Sequence, residues 1–148
     1  MKTARTSRPR PARKPAAAHV VYHTPLPKKL GIKPGFKVAL LASPKGFAAG
    51  LKPLPSKVSF TARAETDADL YICFSKAVAE LPAHILSVSS VAAQQTMWLA
   101  WPKKASGVKS DVDGNVVRTT GLAAGWVDYK VCSLDDTWSA LAFKRKRS

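Results

Sequence analysis

Apolar residues along the chain fall into short, nearly continuous runs that predict buried strands. The runs are bounded by Pro, Gly, Ser and charged residues, which is typical of strands that are covered on both faces of a parallel sheet. We therefore predict strands at Lys37–Ala42, Lys57–Ala62, Asp69–Phe74, Met97–Trp101, Tyr129–Leu134 and Trp138–Phe143.

Between the strands, two stretches have the apolar spacing of amphipathic helices. In Ser75–Ala93 the apolar residues can share one helical face, although Pro82 should divide or restart the helix. In Asp111–Ala124 an aspartate at the start can serve as the N-cap. A shorter helix is predicted at Lys45–Leu51, before a pair of prolines.

The order of these elements indicates the fold class. Strands and helices alternate until the last two strands, which are separated only by Asp135, Asp136 and Thr137, a spacing short enough for an antiparallel hairpin. We therefore predict an α/β protein with a three-layer Rossmann-like architecture. Its mostly parallel sheet of about six strands should end in a C-terminal antiparallel hairpin, with the antiparallel strand at the edge.

The length of 148 residues allows a single domain. We divide the chain into a disordered basic tail at residues 1–20, a Pro- and Gly-rich arm at 21–36, one α/β domain at 37–144 and a basic C-terminal tail at 145–148. No apolar run is long enough for a membrane span. Cys73 and Cys132 lie far apart and lack metal-ligand spacing, so we expect reduced, buried thiols, no metal and a cytoplasmic location.

Charge is segregated along the chain. Of 24 Lys and Arg residues, ten lie within residues 1–37, which contain no acid, and four more form the run Lys144–Arg147. Clustered cations favour polyanions such as nucleic acid or a ribonucleoprotein, and a tail that only adds solubility is the alternative. The candidate polyanion-binding residues are Lys2, Arg5, Arg8, Arg10, Arg13, Lys14, Lys144, Arg145, Lys146 and Arg147.

Candidate ligand-binding residues follow the strands, because an open parallel sheet binds its ligands beyond the carboxyl ends of the strands. Lysines at those positions, beside hydroxyl and amide donors, could hold a small anion, or they could be solvated loop residues. The two adjacent aspartates could form an acid/base pair, or could stabilise a turn through bonds to the backbone. The candidates are Lys45, Gly46, Lys76, Lys103, Lys104, Ser106, Gly107, Asp135 and Asp136.

The loop after the first strand lacks the Gly-x-Gly-x-x-Gly pattern of a dinucleotide site. In Ser43–Phe47, Pro44 has no N–H to donate, and Phe47 adds bulk where a phosphate would need space. The acids of Glu65–Asp69 follow the second strand, where such folds place a ribose-binding acid, but acids in a loop are commonly only solvated. We therefore predict no cofactor, and we disfavour NAD and S-adenosylmethionine.

Three segments, Thr24–Gly35, Trp101–Gly107 and Val131–Ser139, resemble a bacterial family of small proteins classed as domain of unknown function 3052. The resemblance extends over Tyr22–Phe143 and leaves out the basic tail. It implies a cytoplasmic bacterial protein with a Rossmann-like or methyltransferase-like fold, and the family brings no established activity.

These observations favour a non-enzymatic binding protein whose basic tails contact nucleic acid or another polyanion. The alternative is a degenerate methyltransferase-like enzyme, or a sensor, that binds a small anionic ligand at the Lys103 and Lys104 edge. A third possibility is an interaction module that pairs through the edge strand Trp138–Phe143. The oligomeric state is not indicated by the sequence.

Overall fold

The structure, a computed structural model, describes residues 24–146. The predicted tail at residues 1–20 therefore lies outside the described residues, as do Arg147 and Ser148. The helices are α1 (Leu26–Leu30), α2 (Glu80–Ser89) and α3 (Gly114–Ala123), with short 3₁₀ helices at Ala48–Gly50 and Lys104–Ser106. The strands are β1 (Lys37–Leu41), β2 (Ser59–Thr61), β3 (Leu70–Phe74), β4 (Thr96–Pro102), β5 (Trp126–Ser133) and β6 (Trp138–Arg145).

The six strands form one mixed sheet in the order β2-β1-β3-β4-β6-β5. Strands β1 to β4 are parallel to one another, and β6 runs antiparallel to both β4 and β5. The predicted α/β class, the mostly parallel sheet and the C-terminal antiparallel hairpin are thus confirmed. The expected position of the antiparallel strand is wrong, because β6 lies between β4 and β5 and has no free edge to offer a partner.

Both faces of the sheet are covered, which explains why its central strands are continuously apolar. On one face, α2 and α3 bury Leu81, Ile85 and Val117 against the strands. On the other face, α1 and the loops after α1 and β1 contribute Leu30 and Leu51 to a second apolar cluster. The sheet and the layers on its two faces make the three-layer arrangement expected from the sequence.

Helix α1 lies within the segment 21–36 that the prolines and glycines predict to be an arm; residues 21–23 of that segment are outside the described part of the chain. Pro27 lies in the first turn, where a backbone N–H has no partner within the helix, so proline is tolerated there. Gly31 closes the helix at φ +87°, a left-handed conformation that glycine adopts without steric cost. Leu30 and Ile32 are buried in the core, so this segment is an integral part of the domain.

Two further helix predictions need correction. Pro82 does not divide α2, because the helix begins only at Glu80 and Pro82 again falls in the first turn. The helix predicted at Lys45–Leu51 is reduced to the 3₁₀ helix Ala48–Gly50.

None of the helices within residues 24–146 combines the length and the apolar character needed to cross a membrane.

Candidate functional site

The order of the strands reverses between β1 and β3. After β1 the chain adds β2 on one side of β1, and it then crosses over to add β3 on the other side. In α/β sheets the crevice beyond the carboxyl ends of two such strands is the usual ligand position. Here those ends lead into Ser43 and Ser75. We call the side of the sheet where β1, β3 and β4 end the carboxyl edge, and the opposite side the amino edge.

The loop after β1 turns sharply over the carboxyl edge. Ala42 has φ +57°, a left-handed conformation that a β-carbon disfavours. The N–H of Phe47 then donates to the Pro44 carbonyl at 3.1 Å, and Gly46 supplies the φ of +83° that this turn needs. The Phe47 ring packs edge-on against Phe74 with their centroids 4.9 Å apart. The loop is therefore closed by aromatic packing.

Ser75 and His84 form a polar pair at the end of β3. The Ser75 hydroxyl lies 2.9 Å from Nδ1 of His84, which extends from α2. Ser75 is buried, and its N–H donates to the Ala100 carbonyl at 3.0 Å, so its position is fixed by the sheet. Burial lowers the pKa of His84 below its ordinary value, and the Glu80 carboxylate partly opposes that effect. The imidazole is therefore neutral near pH 7, which is the form that can accept a proton.

The backbone N–H groups after β3 already have carboxylate partners. Oε1 of Glu80 accepts from the N–H of Lys76 at 2.7 Å and of Ala77 at 3.1 Å, and these bonds lower the pKa of the Glu80 carboxyl. Asp111 accepts from the N–H of Val78 at 2.8 Å. An exogenous anion at this turn would have to be bound by side chains, because the chain's own acids occupy the backbone donors.

Lys103 joins β4 to the hairpin. Its ammonium group donates to the hydroxyl of Ser133 and to the carbonyl of Asp135, both at 2.6 Å. Its N–H donates to the Thr137 carbonyl at 2.7 Å. Two of its three ammonium donors are thus used to fix the turn between β5 and β6.

The two adjacent aspartates differ in their surroundings. Oδ1 of Asp135 accepts from the N–H groups of Thr137 and Trp138, both at 2.8 Å, which is the turn-forming arrangement considered as the alternative to an acid/base pair. Asp136 is exposed.

The segment after β4 is also closed locally. The Ser106 hydroxyl donates to the Lys103 carbonyl at 2.6 Å and accepts from the N–H of Val108 at 3.2 Å. Gly107 ends the 3₁₀ helix at φ +81°. Lys104 is exposed and lines a cavity of about 490 Å³ together with Trp101.

The topology brings Lys45, Lys76, Lys103 and Lys104 to the same edge of the sheet, after β1, β3 and β4. Lys45, Lys76 and Lys104 are exposed and can reach an anion through their ammonium groups. Their role as ligand-binding residues stays a prediction. Sequence reasoning missed the pairing of Ser75 with His84, whose only signal is a serine at a strand end nine positions before a histidine.

The residues present do not fit S-adenosylmethionine or a dinucleotide in the usual way. Gly46 is the only glycine in Ser43–Phe47, and the segment between β1 and β2 contains a 3₁₀ helix but no α-helix. Glu65 and Asp67, which could have bound a ribose, instead contact the ammonium of Lys37 at 3.0 and 2.8 Å. Lys37 begins β1, so these acids lie at the amino edge.

The basic residues at the end of β6 contact the domain. Lys144 donates to the Gln94 carbonyl at 2.9 Å. Arg145 donates to the carbonyls of Ser89 and Ala92, and its guanidinium lies 5.0 Å from the centre of the Trp126 ring. The residues at 144 and 145 are thus part of the fold, which corrects the predicted start of the C-terminal tail. A role in binding polyanions stays a prediction for them.

Within residues 24–146, no three His, Cys, Asp or Glu side chains are close enough together to hold a metal ion. Both cysteines are free and buried.

Comparison with known proteins identifies the fold. No family model and no curated protein matches the chain. Among solved structures, a protein described as a type 11 methyltransferase from Sulfolobus solfataricus aligns with a TM-score of 0.56 at 13% identity, over 88% of this chain and 93% of that one. The ribosomal protein L11 methylase from Lactobacillus delbrueckii subsp. bulgaricus aligns with a TM-score of 0.51 at 12% identity, over 82% and 75% of the two chains.

The magnesium protoporphyrin IX methyltransferase from Synechocystis PCC 6803, solved with bound SAH, aligns with a TM-score of 0.50 at 13% identity, over 76% and 75% of the two chains. At these identities the likeness establishes the fold. The expectation of a non-enzymatic binding protein is contradicted, because the three solved proteins named here, which share this fold, are methyltransferases. The chain therefore has a methyltransferase-like Rossmann fold.

Proposed function

We propose that this chain is a degenerate methyltransferase-like enzyme that acts on a small anionic substrate at the carboxyl edge, between β1 and β3. The observation that carries the proposal is the Ser75–His84 pair, because it holds a half-buried, oriented imidazole at the end of β3, one of the two strands that border the usual ligand crevice of α/β sheets. The methyltransferase-like fold supports an enzyme.

His84 would accept a proton from the substrate. Its bond to Ser75 through Nδ1 fixes the ring and directs proton exchange to Nε2. Because burial lowers the pKa of His84, the ring is neutral and ready to act as a base at pH 7. Ser75 is a positioning residue here, since its burial keeps it from attacking a substrate.

The exposed lysines at this edge would bind the anionic group of the substrate. Lys45 and Lys76 follow the two strands on either side of the crevice, and Lys104 follows the next strand. Glu80 and Asp111 already bind the backbone donors, so recognition depends on ammonium groups and should weaken with salt. The site lacks the glycine-rich loop and the ribose-binding acid that would hold S-adenosylmethionine.

The imidazole signals of His84 in NMR spectra test this proposal. Inorganic phosphate, acetate, a sugar phosphate, S-adenosylmethionine and SAH would each be titrated into the full chain. We expect at least one small anion to shift the His84 signals saturably, and Lys45→Gln with Lys76→Gln to weaken that binding about tenfold or more. Lys109→Gln, an exposed lysine outside the crevice, is the matched control.

The outcome that would contradict the proposal is a His84 resonance that no compound of the panel moves. If S-adenosylmethionine alone caused saturable shifts, the site would be an intact cofactor-binding site and not a degenerate one. If Lys109→Gln weakened anion binding as much as Lys45→Gln with Lys76→Gln, the binding would be a non-specific attraction of anions to the basic chain.

We further propose a cytoplasmic location, supported by two free, buried thiols. Membership of the domain of unknown function 3052 family also stays a proposal, supported by the three segments quoted from the sequence.

A further inference from the structure

A second cavity lies at the amino edge, on the opposite side of the sheet from the proposed reaction centre. It has a volume of about 630 Å³, within the range of small-molecule sites. Its walls come from the end of α1, the starts of β3 and β4, the middle of β5 and the end of β6. These segments are far apart in sequence and meet only through the fold.

Four lysines line this cavity: Lys29, Lys33, Lys130 and Lys144. The ammonium of Lys130 donates to the Lys29 carbonyl at 2.6 Å, and that of Lys144 to the Gln94 carbonyl at 2.9 Å. These neutral acceptors hold the ammonium groups in place and leave their charge uncompensated. Each group keeps two further N–H donors.

Carboxylates do not neutralise this cluster. The ion pairs among residues 24–146 join Lys37 to Glu65 and Asp67, and Arg118 to Asp128, and none includes a cavity lysine. Asp69 is the single acid in the lining, and its Oδ2 accepts from the N–H of Lys37 at 2.8 Å. The cavity is therefore strongly positive.

A β-bulge directs two successive side chains into the cavity. The register of β5 against β6 shifts between Asp128 and Lys130, so Tyr129 is an extra residue in β5. As a result Tyr129 and Lys130 both line the cavity, although adjacent residues of a regular strand point to opposite faces. Such bulges are frequent beside binding sites because they redirect side chains.

The cavity also has apolar and aromatic walls. Tyr129 is 54% exposed, and its hydroxyl lies 2.9 Å from Oγ1 of Thr96, which restrains the ring. Phe36 is half-buried and adds an apolar surface, behind which the buried Leu30 and Trp98 lie. A flat ring can pack on such a surface while the lysines contact phosphate.

The geometry points to a binding site for a nucleoside phosphate at the amino edge, with Lys33, Lys130 and Lys144 contacting the phosphates and Tyr129 contacting the base. This site is separate from the carboxyl edge and goes beyond the proposed reaction there. The diphosphate of a nucleotide matches several fixed cations in one cavity, and its base matches the exposed tyrosine ring.

Isothermal titration calorimetry on the full chain tests the site with adenosine diphosphate, pyrophosphate and adenosine. We expect adenosine diphosphate to bind with one-site stoichiometry, and Lys33→Gln with Lys130→Gln to raise its Kd about tenfold or more. Tyr129→Ala should weaken the binding of adenosine diphosphate but leave the affinity for pyrophosphate unchanged. Adenosine without phosphate should bind much more weakly than either anion.

Two controls separate the cavity from general attraction to a basic chain. Lys109→Gln removes an exposed lysine elsewhere, and Arg8→Gln with Arg10→Gln removes two charges from the basic tail. Neither should change the Kd of adenosine diphosphate. Circular dichroism would establish that each variant is folded, and the exposed Lys33→Gln alone serves if the double variant is not.

The proposal is overturned if the full chain binds neither anion, or if the tail variant loses as much affinity as the cavity variant. Tight binding of a single-stranded oligonucleotide, with none of adenosine diphosphate, would also overturn it in favour of a nucleic-acid surface. Because His84 lies at the other edge, these results are independent of the NMR test of the proposed reaction centre.

Discussion

The indole N–H of Trp98 donates to the carbonyl of Leu30 at 3.1 Å and so ties the end of α1 to the middle of the sheet. Both residues are buried, and they lie 68 positions apart in sequence. Because a buried carbonyl without a partner is costly, this bond helps to fix a helix of only five residues, which is too short to be stable alone.

Trp98→Phe removes the bond and leaves the Leu30 carbonyl unpaired. We expect a loss of about 1–3 kcal/mol in the free energy of unfolding, with the smaller ring adding to it. Urea unfolding would measure the loss. Hydrogen exchange should also accelerate at Gly31 and Ile32, whose N–H groups close α1, and should change little in α3 on the other face. Uniform acceleration throughout the domain would contradict this local role.

Gly121→Ala should destabilise the protein, although the same change in a helix interior ordinarily stabilises by about 0.5–1 kcal/mol. A β-carbon at Gly121 would lie 2.4 Å from Cε2 of Phe143, whose ring is fully buried. We expect a loss of about 1–3 kcal/mol from this overlap, measured by thermal or urea unfolding.

The matched control is Gly50→Ala, where a β-carbon would have no neighbour within 4 Å. Phe143→Leu should relieve part of the effect of Gly121→Ala, so the double variant should lose less than the two single losses combined. Simple additivity would show that the ring is not the cause.

The strands were predictable because burial on both faces leaves a local trace, a continuous apolar run such as Leu70–Phe74. Helix α1 was not, because Pro27 and Gly31 suggest a loop unless their positions in the first turn and at the helix end are known. The place of β6 inside the sheet depends on pairing with β4, which no local pattern encodes.

The candidate site was predictable only in its location. Strand ends indicate that Lys45 and Lys76 share an edge, but whether a lysine is free depends on tertiary bonds such as the one from Lys103 to Ser133. The cavity at the amino edge depends on the bulge at Tyr129, so it left no signal in the spacing of its lysines.

Cys73 should be unreactive in the folded protein and should lower stability at alkaline pH. Burial raises the pKa of its thiol to about 12, so the folded state keeps the proton above the ordinary thiol pKa of 9.0 while the unfolded chain loses it. The unfolded state then binds fewer protons, and stability falls as pH rises between these values, by about 1.4 kcal/mol per unit for this group.

Urea unfolding between pH 8 and 10.5 would measure this dependence. Cys73→Ala should show a shallower decline than the wild type, whatever its stability at pH 7. A thiol reagent should modify Cys73 only after denaturation. Identical pH slopes for the two proteins would refute the effect of burial on this thiol.

His84 should titrate below its ordinary pKa of 6.5, because burial disfavours the charged imidazolium. The nearby Glu80 carboxylate raises the pKa and so limits the effect. Glu80→Gln should therefore lower the pKa of His84 further.

Below pH 6.5 the unfolded chain binds a proton at His84 that the folded chain does not, so this residue reduces the free energy of unfolding as pH falls from 6.5 to the folded pKa. An NMR titration would follow the three histidines of the chain, and His84→Gln would assign the resonance. A pKa at or above 6.5, or a rise after Glu80→Gln, would rule out the half-buried, neutral imidazole on which the proposed proton transfer depends.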